Sequence, residues 1–240
     1  MHQRNFCTVL ILLAWSSVLF QGCSHDLGPA GRVYSESVYG GGSGVYMGNG
    51  YILTNWHVAE RIPEKANLFA LSTDSYFPQP VNIPIEKVLF SNKEIELALV
   101  RLTRPVENSH SYTKVCLSGT PVKNGDRLTI LSSPGNYFPP EKVSVLVTDS
   151  EPSVRAGSAP ILSIVCLTSE NDSQLIAPGS SGGAVLNNKG ELVGLVWGRN
   201  QLKSGRVEAW LTPVSIWQDK LNKSDINGIE KQIILDLFCR

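Results

Sequence analysis

The sequence predicts an all-β fold of short antiparallel strands, with helices confined to the C-terminal end. Turn-forming residues are frequent, with 21 Gly and 14 Pro among 240 residues. Short apolar runs recur at close intervals without a helical period between them, which favours antiparallel barrels or sandwiches over a parallel α/β fold. The 42% hydrophobic content is enough for a packed core, and the 18% of charged residues is too low for a disordered chain.

The charge balance argues against nucleic acid as the main partner. Lys and Arg together number 21, Asp and Glu together also number 21, and the formal net charge is therefore zero. A protein that binds the phosphate backbone normally carries a basic excess.

Residues 1–23 have the pattern of an export signal. Arg4 precedes a charge-free run over 6–20, which is short for a membrane span of about 20 residues but typical of the apolar part of a signal peptide. An uncleaved anchor is the alternative. Leu19-Phe20-Gln21-Gly22-Cys23 resembles the lipobox of bacterial lipoproteins, although Phe20 stands where Leu is expected.

We therefore expect an exported protein. It is either a cell-envelope lipoprotein, attached to the membrane through a lipid on Cys23, or a periplasmic or secreted protein. Residues 24–32 would form a tether. Export places the cysteines in an oxidising compartment. If Cys23 is lipidated, at most one disulfide forms among Cys116, Cys166 and Cys239, and their spacing does not select a pair; otherwise Cys23 pairs with another cysteine.

Strands can be assigned in chain order. Segments 45–47 and 51–54 flank Gly48-Asn49-Gly50, a turn signal of the Asn-Gly kind that predicts a hairpin. The further strand candidates are 88–90, 97–102, 128–131, 143–148, 161–167, 184–186, 192–197 and 207–211. The polar, glycine-bearing stretch 118–126 is the predicted connection between two β-halves.

Helical periodicity appears only near the C-terminal end. Segment 213–222 carries Ile216, Trp217 and Leu221 on one side, and apolar residues recur at spacings of three and four over 226–237. We expect residues 223–240 to form a helical extension that packs on the body of the protein.

Three local patterns carry the chemistry. The first is Thr54-Asn55-Trp56-His57-Val58, where a His follows the end of a strand. The second is Glu96-Leu97-Ala98-Leu99-Val100, an acid before an apolar strand. The third is Pro178-Gly179-Ser180-Ser181-Gly182-Gly183-Ala184, a glycine-rich loop with two serines before a strand.

These residue types belong together because each supplies what another lacks. A serine hydroxyl is a weak nucleophile that needs a base, and neutral imidazole suits that task. An acid behind the imidazole fixes its tautomer and stabilises the imidazolium. Glycines let backbone N–H groups turn inward, where they stabilise an oxyanion.

Over roughly 33–221 the chain resembles the trypsin-like (chymotrypsin-fold) serine peptidases, particularly the short bacterial group related to the HtrA/DegP proteases. The family order of His, acid and Ser is met by His57, Glu96 and Ser181, and the family's G-x-S-G-G stands as Gly179-Ser180-Ser181-Gly182-Gly183. The resemblance implies two six-stranded antiparallel β-barrel halves over 33–222, with the active site between them. It also implies an endopeptidase whose oxyanion donors are the backbone N–H groups of Gly179 and Ser181.

The acid departs from the family pattern, which has Asp where this chain has Glu96. The extra methylene moves the carboxylate by about one C–C bond, so the imidazole must be accommodated differently. Glu94, two residues earlier on the same face of an extended strand, is the alternative acid, and Asp74 lies far upstream. An altered acid also suits an inactive relative that keeps the cleft as a protein-binding module.

The resemblance also assigns a substrate-binding surface. Val196, Trp197 and Gly198 match the strand that pairs with substrate backbone, and Leu175 matches the pocket base. Apolar neighbours there imply a small or medium apolar side chain before the scissile bond. An esterase using the same chemistry is a further alternative. We expect a monomer that acts on protein or peptide substrates.

Other candidate motifs are set aside. Gly42-Ser43-Gly44 resembles a phosphate-binding loop, but it leads into a strand, so we assign it only the entry to the first hairpin. No Cys/His cluster has metal-ligand spacing, which predicts no catalytic metal and no cofactor. His25 and His110 lie in polar stretches and are expected at the surface. No PDZ-like segment follows Leu221 in this sequence.

Overall fold

The structure is a computed structural model. It describes residues 30–34, 41–60, 67–70, 81–106, 115–136, 141–156, 159–166, 176–201, 203, 207–223 and 228–238. The predicted signal with Cys23, most of the tether, and Leu175, Asp74 and Cys239 lie outside these residues.

Within the described residues, six antiparallel strands close into a first barrel. The strands are β1 (Ala30–Tyr34), β2 (Gly41–Gly48), β3 (Tyr51–Thr54), β4 (Asn67–Ala70), β5 (Val81–Asn92) and β6 (Leu97–Leu102). Their spatial order is β1-β2-β3-β6-β5-β4, and β1 pairs with β4 to close the barrel. The predicted hairpin is confirmed as β2 and β3.

A second barrel of six antiparallel strands follows in the described part of the chain. It contains β7 (Arg127–Ser132), β8 (Glu141–Ala156), β9 (Ala159–Cys166), β10 (Ala184–Leu186), β11 (Leu192–Gln201) and β12 (Val207–Pro213). Their order is β10-β11-β12-β9-β8-β7, closed by the pairing of β10 with β7. The predicted all-β fold of two barrel halves is thereby confirmed.

Short helices complete the described structure. Helix α1 (Trp56–Ala59) follows β3 directly, and a 3-10 turn spans Pro134–Asn136. Helix α2 (Val214–Lys223) and helix α3 (Gly228–Leu235) come after the second barrel. None of the described helices has the length and hydrophobicity that a membrane span requires.

The turn between β2 and β3 shows why the hairpin could be read from the sequence. Asn49 and Gly50 have φ angles of 54° and 79°. Two successive positive φ angles match the right-handed twist of paired strands, and Asn-Gly adopts them at low cost.

Alternating side chains build the two barrel interiors. In β12, Val207, Ala209 and Leu211 are buried in the second barrel, whereas Glu208 and Trp210 are only partly buried. This period of two is what places one face of a strand in a core. A third apolar cluster joins both barrels to the C-terminal helices and includes the fully buried Trp217, Leu221 and Ile234.

The chain just after helix α3 contacts the segment that connects the barrels. The N–H of Leu117 donates to the Leu237 carbonyl at 2.8 Å, and Leu117 also bridges to Leu192 at the start of β11. The neighbouring Cys116 forms a disulfide. The connection between the barrels is therefore held by contacts with both the C-terminal segment and the start of β11.

Candidate active site

His57 and Glu96 are brought together by two neighbouring strands of the first barrel. Strand β3 pairs with β6, so that Thr54 lies opposite Ala98. His57 follows the end of β3 within α1, and Glu96 immediately precedes β6. Because antiparallel partners place the end of one strand beside the start of the next, the two side chains meet at one rim of the barrel.

One carboxylate oxygen of Glu96 accepts two hydrogen bonds from His57. The ring Nδ1 lies 2.9 Å from Oε2, and the backbone N–H of His57 lies 3.3 Å from the same oxygen. Glu96 is 5% exposed. A buried carboxylate on Nδ1 selects the tautomer with a free Nε2, which is the form that can accept a proton.

The backbone of Glu96 explains how the longer acid fits. Its φ is 51°, in the left-handed region that non-glycine residues seldom adopt. Glu96 ends a turn that begins at Lys93, and its carbonyl accepts a hydrogen bond from Asn55 Nδ2 at 3.1 Å. The expectation of an extended strand through Glu94 and Glu96 is wrong, because the chain turns here.

Glu94 is thereby carried away from His57. Its side chain is 62% exposed, and its carboxylate lies 3.5 Å from Lys220 Nζ. Of the two candidate acids, only Glu96 contacts the imidazole.

Ser181 lies on a tight loop just before β10, where the chain of the second barrel meets the first. Gly182 has a φ of 85°, and a Cβ added there would come 2.1 Å from the Ser43 carbonyl oxygen and 2.4 Å from Thr54 Oγ1. Only glycine permits this conformation and this close approach. Ser180 is 2% exposed, and its hydroxyl accepts a hydrogen bond from the Ala177 N–H at 3.3 Å.

The carbonyl groups of the loop fix the direction of two backbone N–H groups. The Pro178 carbonyl accepts from the Gly135 N–H at 2.7 Å, and the Ser180 carbonyl accepts from the Gly183 N–H at 2.9 Å. A trans peptide points its N–H opposite to its C=O, so the N–H groups of Gly179 and Ser181 face the other way. Within the described part of the chain, neither N–H donates to a protein acceptor.

The hydroxyl of Ser181 donates to the Trp197 carbonyl at 3.0 Å. No hydrogen bond between Ser181 and His57 is present among the described residues. The Trp197 ring meets the His57 ring edge-on, with centroids 6.4 Å apart, and stacks on Trp210 at 5.7 Å. The Ser181 hydroxyl is thus directed to the Trp197 carbonyl.

The expected substrate-binding residues occupy different positions. Trp197 and Gly198 are partly exposed, and the Trp197 carbonyl is the one that contacts Ser181. Val196 is fully buried, and its N–H and carbonyl pair with Gly183 and Gly182 at 2.9 and 2.8 Å. The side chain of Val196 therefore belongs to the core, and Leu175 lies outside the described residues.

Sequence reasoning missed several residues that hold this site. Ser43 and Gly135 contact residues 178–183, the predicted nucleophile loop, from distant parts of the chain, and Trp210 stacks on Trp197. The Gly42-Ser43-Gly44 motif was the available signal for the first of these. The described part of the chain gathers no group of three or more His, Cys, Asp or Glu suited to a metal.

Comparison with known proteins agrees with this arrangement. The family model described as Trypsin matches residues 28–221. No curated protein matches the chain.

Solved structures share the fold at low sequence identity. The MamO protease domain of Magnetospirillum magneticum superposes with a TM-score of 0.61 and 18% identity, covering 82% of this chain and 98% of that one. A serine endoprotease from Yersinia pestis gives 0.56 and 20%, covering 81% of this chain and 62% of that one. The Rv3671c protease of M. tuberculosis, in an inactive form, gives 0.58 and 14%, covering 81% and 88%.

Proposed function

Because the chain belongs to the trypsin family of serine proteases, we propose that it is an active serine endopeptidase whose triad is His57, Glu96 and Ser181. The observation that carries this proposal is the 2.9 Å contact between His57 Nδ1 and the buried Glu96 carboxylate. A Glu that performs the function of the family's usual Asp leaves the triad complete.

The proposed mechanism follows from these groups. Ser181 Oγ attacks the substrate carbonyl while His57 Nε2 removes its proton, which gives a tetrahedral intermediate. The N–H groups of Gly179 and Ser181 stabilise its oxyanion. His57 then protonates the leaving amine, so that an acyl group remains on Ser181. Water activated by His57 releases that group and restores the hydroxyl.

A covalent labelling experiment tests the proposal. A fluorophosphonate probe should label the wild-type 24–240 fragment and fail to label the Ser181→Ala variant. Mass spectrometry should place the adduct on Ser181. A folded wild-type sample that remains unlabelled across neutral and mildly alkaline pH would overturn the proposal.

A non-catalytic binding module is the second candidate. The hydrogen bond from Ser181 to the Trp197 carbonyl favours it, because the hydroxyl donates to a carbonyl rather than to His57. A binding module would retain affinity for a peptide partner without turnover, and the Ser181→Ala variant would bind as the wild type does. The Glu96→Gln variant would also leave binding unchanged.

We propose that the substrate is a polypeptide with a small or medium apolar side chain before the scissile bond. The stacked pair of Trp197 and Trp210, with the Trp197 ring edge-on to His57, supports an apolar neighbour. A peptide series that varies only this side chain tests it, with Ala and Val expected to be cleaved faster than Arg or Asp. Turnover of small esters without any peptide cleavage would instead indicate an esterase.

We also propose, on the sequence pattern of residues 1–23, that the protein is exported. It is either a lipoprotein whose mature chain begins at a lipidated Cys23 or a periplasmic or secreted protein. Mass spectrometry of the cell-envelope protein distinguishes a lipidated Cys23 from a free N-terminus. A retained Met1 would contradict both forms.

A further inference from the structure

Ser43, in the middle of the Gly42-Ser43-Gly44 motif on β2, contacts the nucleophile loop twice. Its N–H donates to the Ser181 carbonyl at 2.6 Å, and its hydroxyl donates to the Gly179 carbonyl at 2.8 Å. Ser43 is 0% exposed. A residue of the first barrel thus forms two hydrogen bonds with the nucleophile loop of the second.

The Ser43 hydroxyl also accepts a hydrogen bond. The Ser133 N–H, just after β7, donates to Ser43 Oγ at 2.8 Å. Two residues further along, Gly135 donates to the Pro178 carbonyl. One hydroxyl therefore ties together β2, the segment after β7 and the nucleophile loop.

These contacts complete a set over four consecutive carbonyl groups. The carbonyls of residues 178, 179, 180 and 181 accept hydrogen bonds from Gly135 N–H, Ser43 Oγ, Gly183 N–H and Ser43 N–H, respectively. Only the bond to the Gly179 carbonyl comes from a side chain. It also lies at the residue with the greatest backbone freedom, because Gly179 has a φ of 101° and no Cβ to restrict rotation.

We propose that Ser43 is a positioning residue that fixes the oxyanion hole through the Gly179 carbonyl. This inference rests on the proposed peptidase function. Without the hydroxyl, the Gly179–Ser180 peptide keeps only the bond from the Ser180 N–H to the Ala177 carbonyl at 3.0 Å among the described residues. The Gly179 Cα joins this peptide to the one that carries the Gly179 N–H, which the Gly135 bond to the Pro178 carbonyl alone would then orient. The Gly179 N–H therefore spends less time aimed at the developing oxyanion. Ser43 does not touch the reacting atoms and leaves the His57–Glu96 pair intact.

The Ser43→Ala variant tests this inference. We expect the kcat for peptide hydrolysis and the second-order rate of fluorophosphonate labelling to fall together by about 10- to 100-fold. That loss is smaller than the 10²–10³-fold typical of removing an oxyanion donor outright. The KM should change less than twofold, and the midpoint of the pH profile should not move, because His57 and Glu96 are unaltered.

Ser132→Ala is the matched control. Ser132 is also 0% exposed, and its hydroxyl has no hydrogen-bond partner among the described residues. This variant removes the same atom from a buried serine and should keep the wild-type kcat. Ser43→Cys, which keeps the side-chain length with a weaker donor, should lie between Ser43→Ala and wild type.

The outcomes separate the two proposals. A labelled wild type with equal kcat values for Ser43→Ala and Ser132→Ala would overturn the role of Ser43 alone. A shifted pH profile, or a loss of activity proportional to the unfolded fraction measured by circular dichroism, would overturn it as well. If Ser43→Ala does not fold, the comparison of Ser43→Cys with Ser132→Ala decides in the same way. An unreactive wild type would overturn the peptidase function and this inference with it.

Discussion

At the scale of single residues, Glu96 combines an unfavourable backbone with favourable side-chain contacts. A left-handed φ costs a non-glycine residue on the order of 1 kcal/mol or more, and Glu96 adopts one at 51°. In return its carboxylate accepts two bonds from His57, and its carbonyl accepts one from Asn55. The strain therefore lies where the proposed chemistry needs a fixed imidazole.

Glu96→Gln and Glu96→Asp should separate the effect of the carboxylate charge from the effect of the side-chain length. Gln removes the charge and permits the wrong imidazole tautomer, so we expect a loss of kcat of about 10³- to 10⁴-fold. Asp keeps the charge and suits the left-handed region better, but it shortens the reach, so we expect about a 10²-fold loss without loss of thermal stability. Steady-state hydrolysis and thermal melts measure both. Wild-type turnover by Glu96→Gln would remove Glu96 from the mechanism.

Gly182 and Gly190 provide a second residue-scale comparison. Both have positive φ angles, 85° and 77°, but a Cβ on Gly182 would strike the Ser43 carbonyl, whereas one on Gly190 would meet nothing within 4 Å. Gly182→Ala should therefore abolish fluorophosphonate labelling. Gly190→Ala should label at the wild-type rate and lose only about 1 kcal/mol of unfolding free energy. Equal labelling of the two variants would contradict the close packing of this loop.

At the scale of elements, the C-terminal helices stabilise the junction of the barrels. Helix α2 places Trp217 and Leu221 in the cluster that joins both barrels, and α3 adds Ile234. Their apolar spacing of three and four residues made the helices predictable. What the helices cover was not predictable, because it depends on residues more than one hundred positions away.

Trp217→Ala measures this contribution. Trp217 is 0% exposed, and removing its indole should leave a cavity that lowers the free energy of unfolding by about 3–5 kcal/mol. Ile229, on α3, is 76% exposed, so Ile229→Ala should change the free energy of unfolding by less than about 0.5 kcal/mol. Urea denaturation followed by circular dichroism compares them. A Trp217→Ala loss as small as that of Ile229→Ala would show that α2 is dispensable.

At the scale of the whole molecule, local signals predicted most of the strands, and the family pattern predicted the proposed triad. The Asn49-Gly50 turn and strand β6 could be predicted from the sequence because each depends only on neighbouring residues. Strand β4 was missed, since Asn67–Ala70 carries no turn signal of its own. Strand β1 was missed as well, because residues 30–32 of Ala30–Tyr34 were assigned to the tether. The left-handed backbone of Glu96 and the contacts of Ser43 could not be predicted, because they arise where two barrels meet.

The disulfide at Cys116 should stabilise the molecule as a whole. Cys116 lies in the connection between the barrels, beside Leu117. Removing a native disulfide typically costs about 2–4 kcal/mol, so a reducing agent should lower the melting temperature of the wild type. Cys116→Ser should melt at the lower temperature with or without the reductant. A wild type insensitive to reductant would contradict a stabilising role.

The hydrogen bond between Leu117 and Leu237 has a consequence for how the protein comes into being on the ribosome. The connection between the barrels receives this partner only after residue 237 has been synthesised. The first barrel, whose strands end at Leu102, can close long before that moment. The backbone contact that holds the connection between the barrels is therefore among the last to become available as the chain is made.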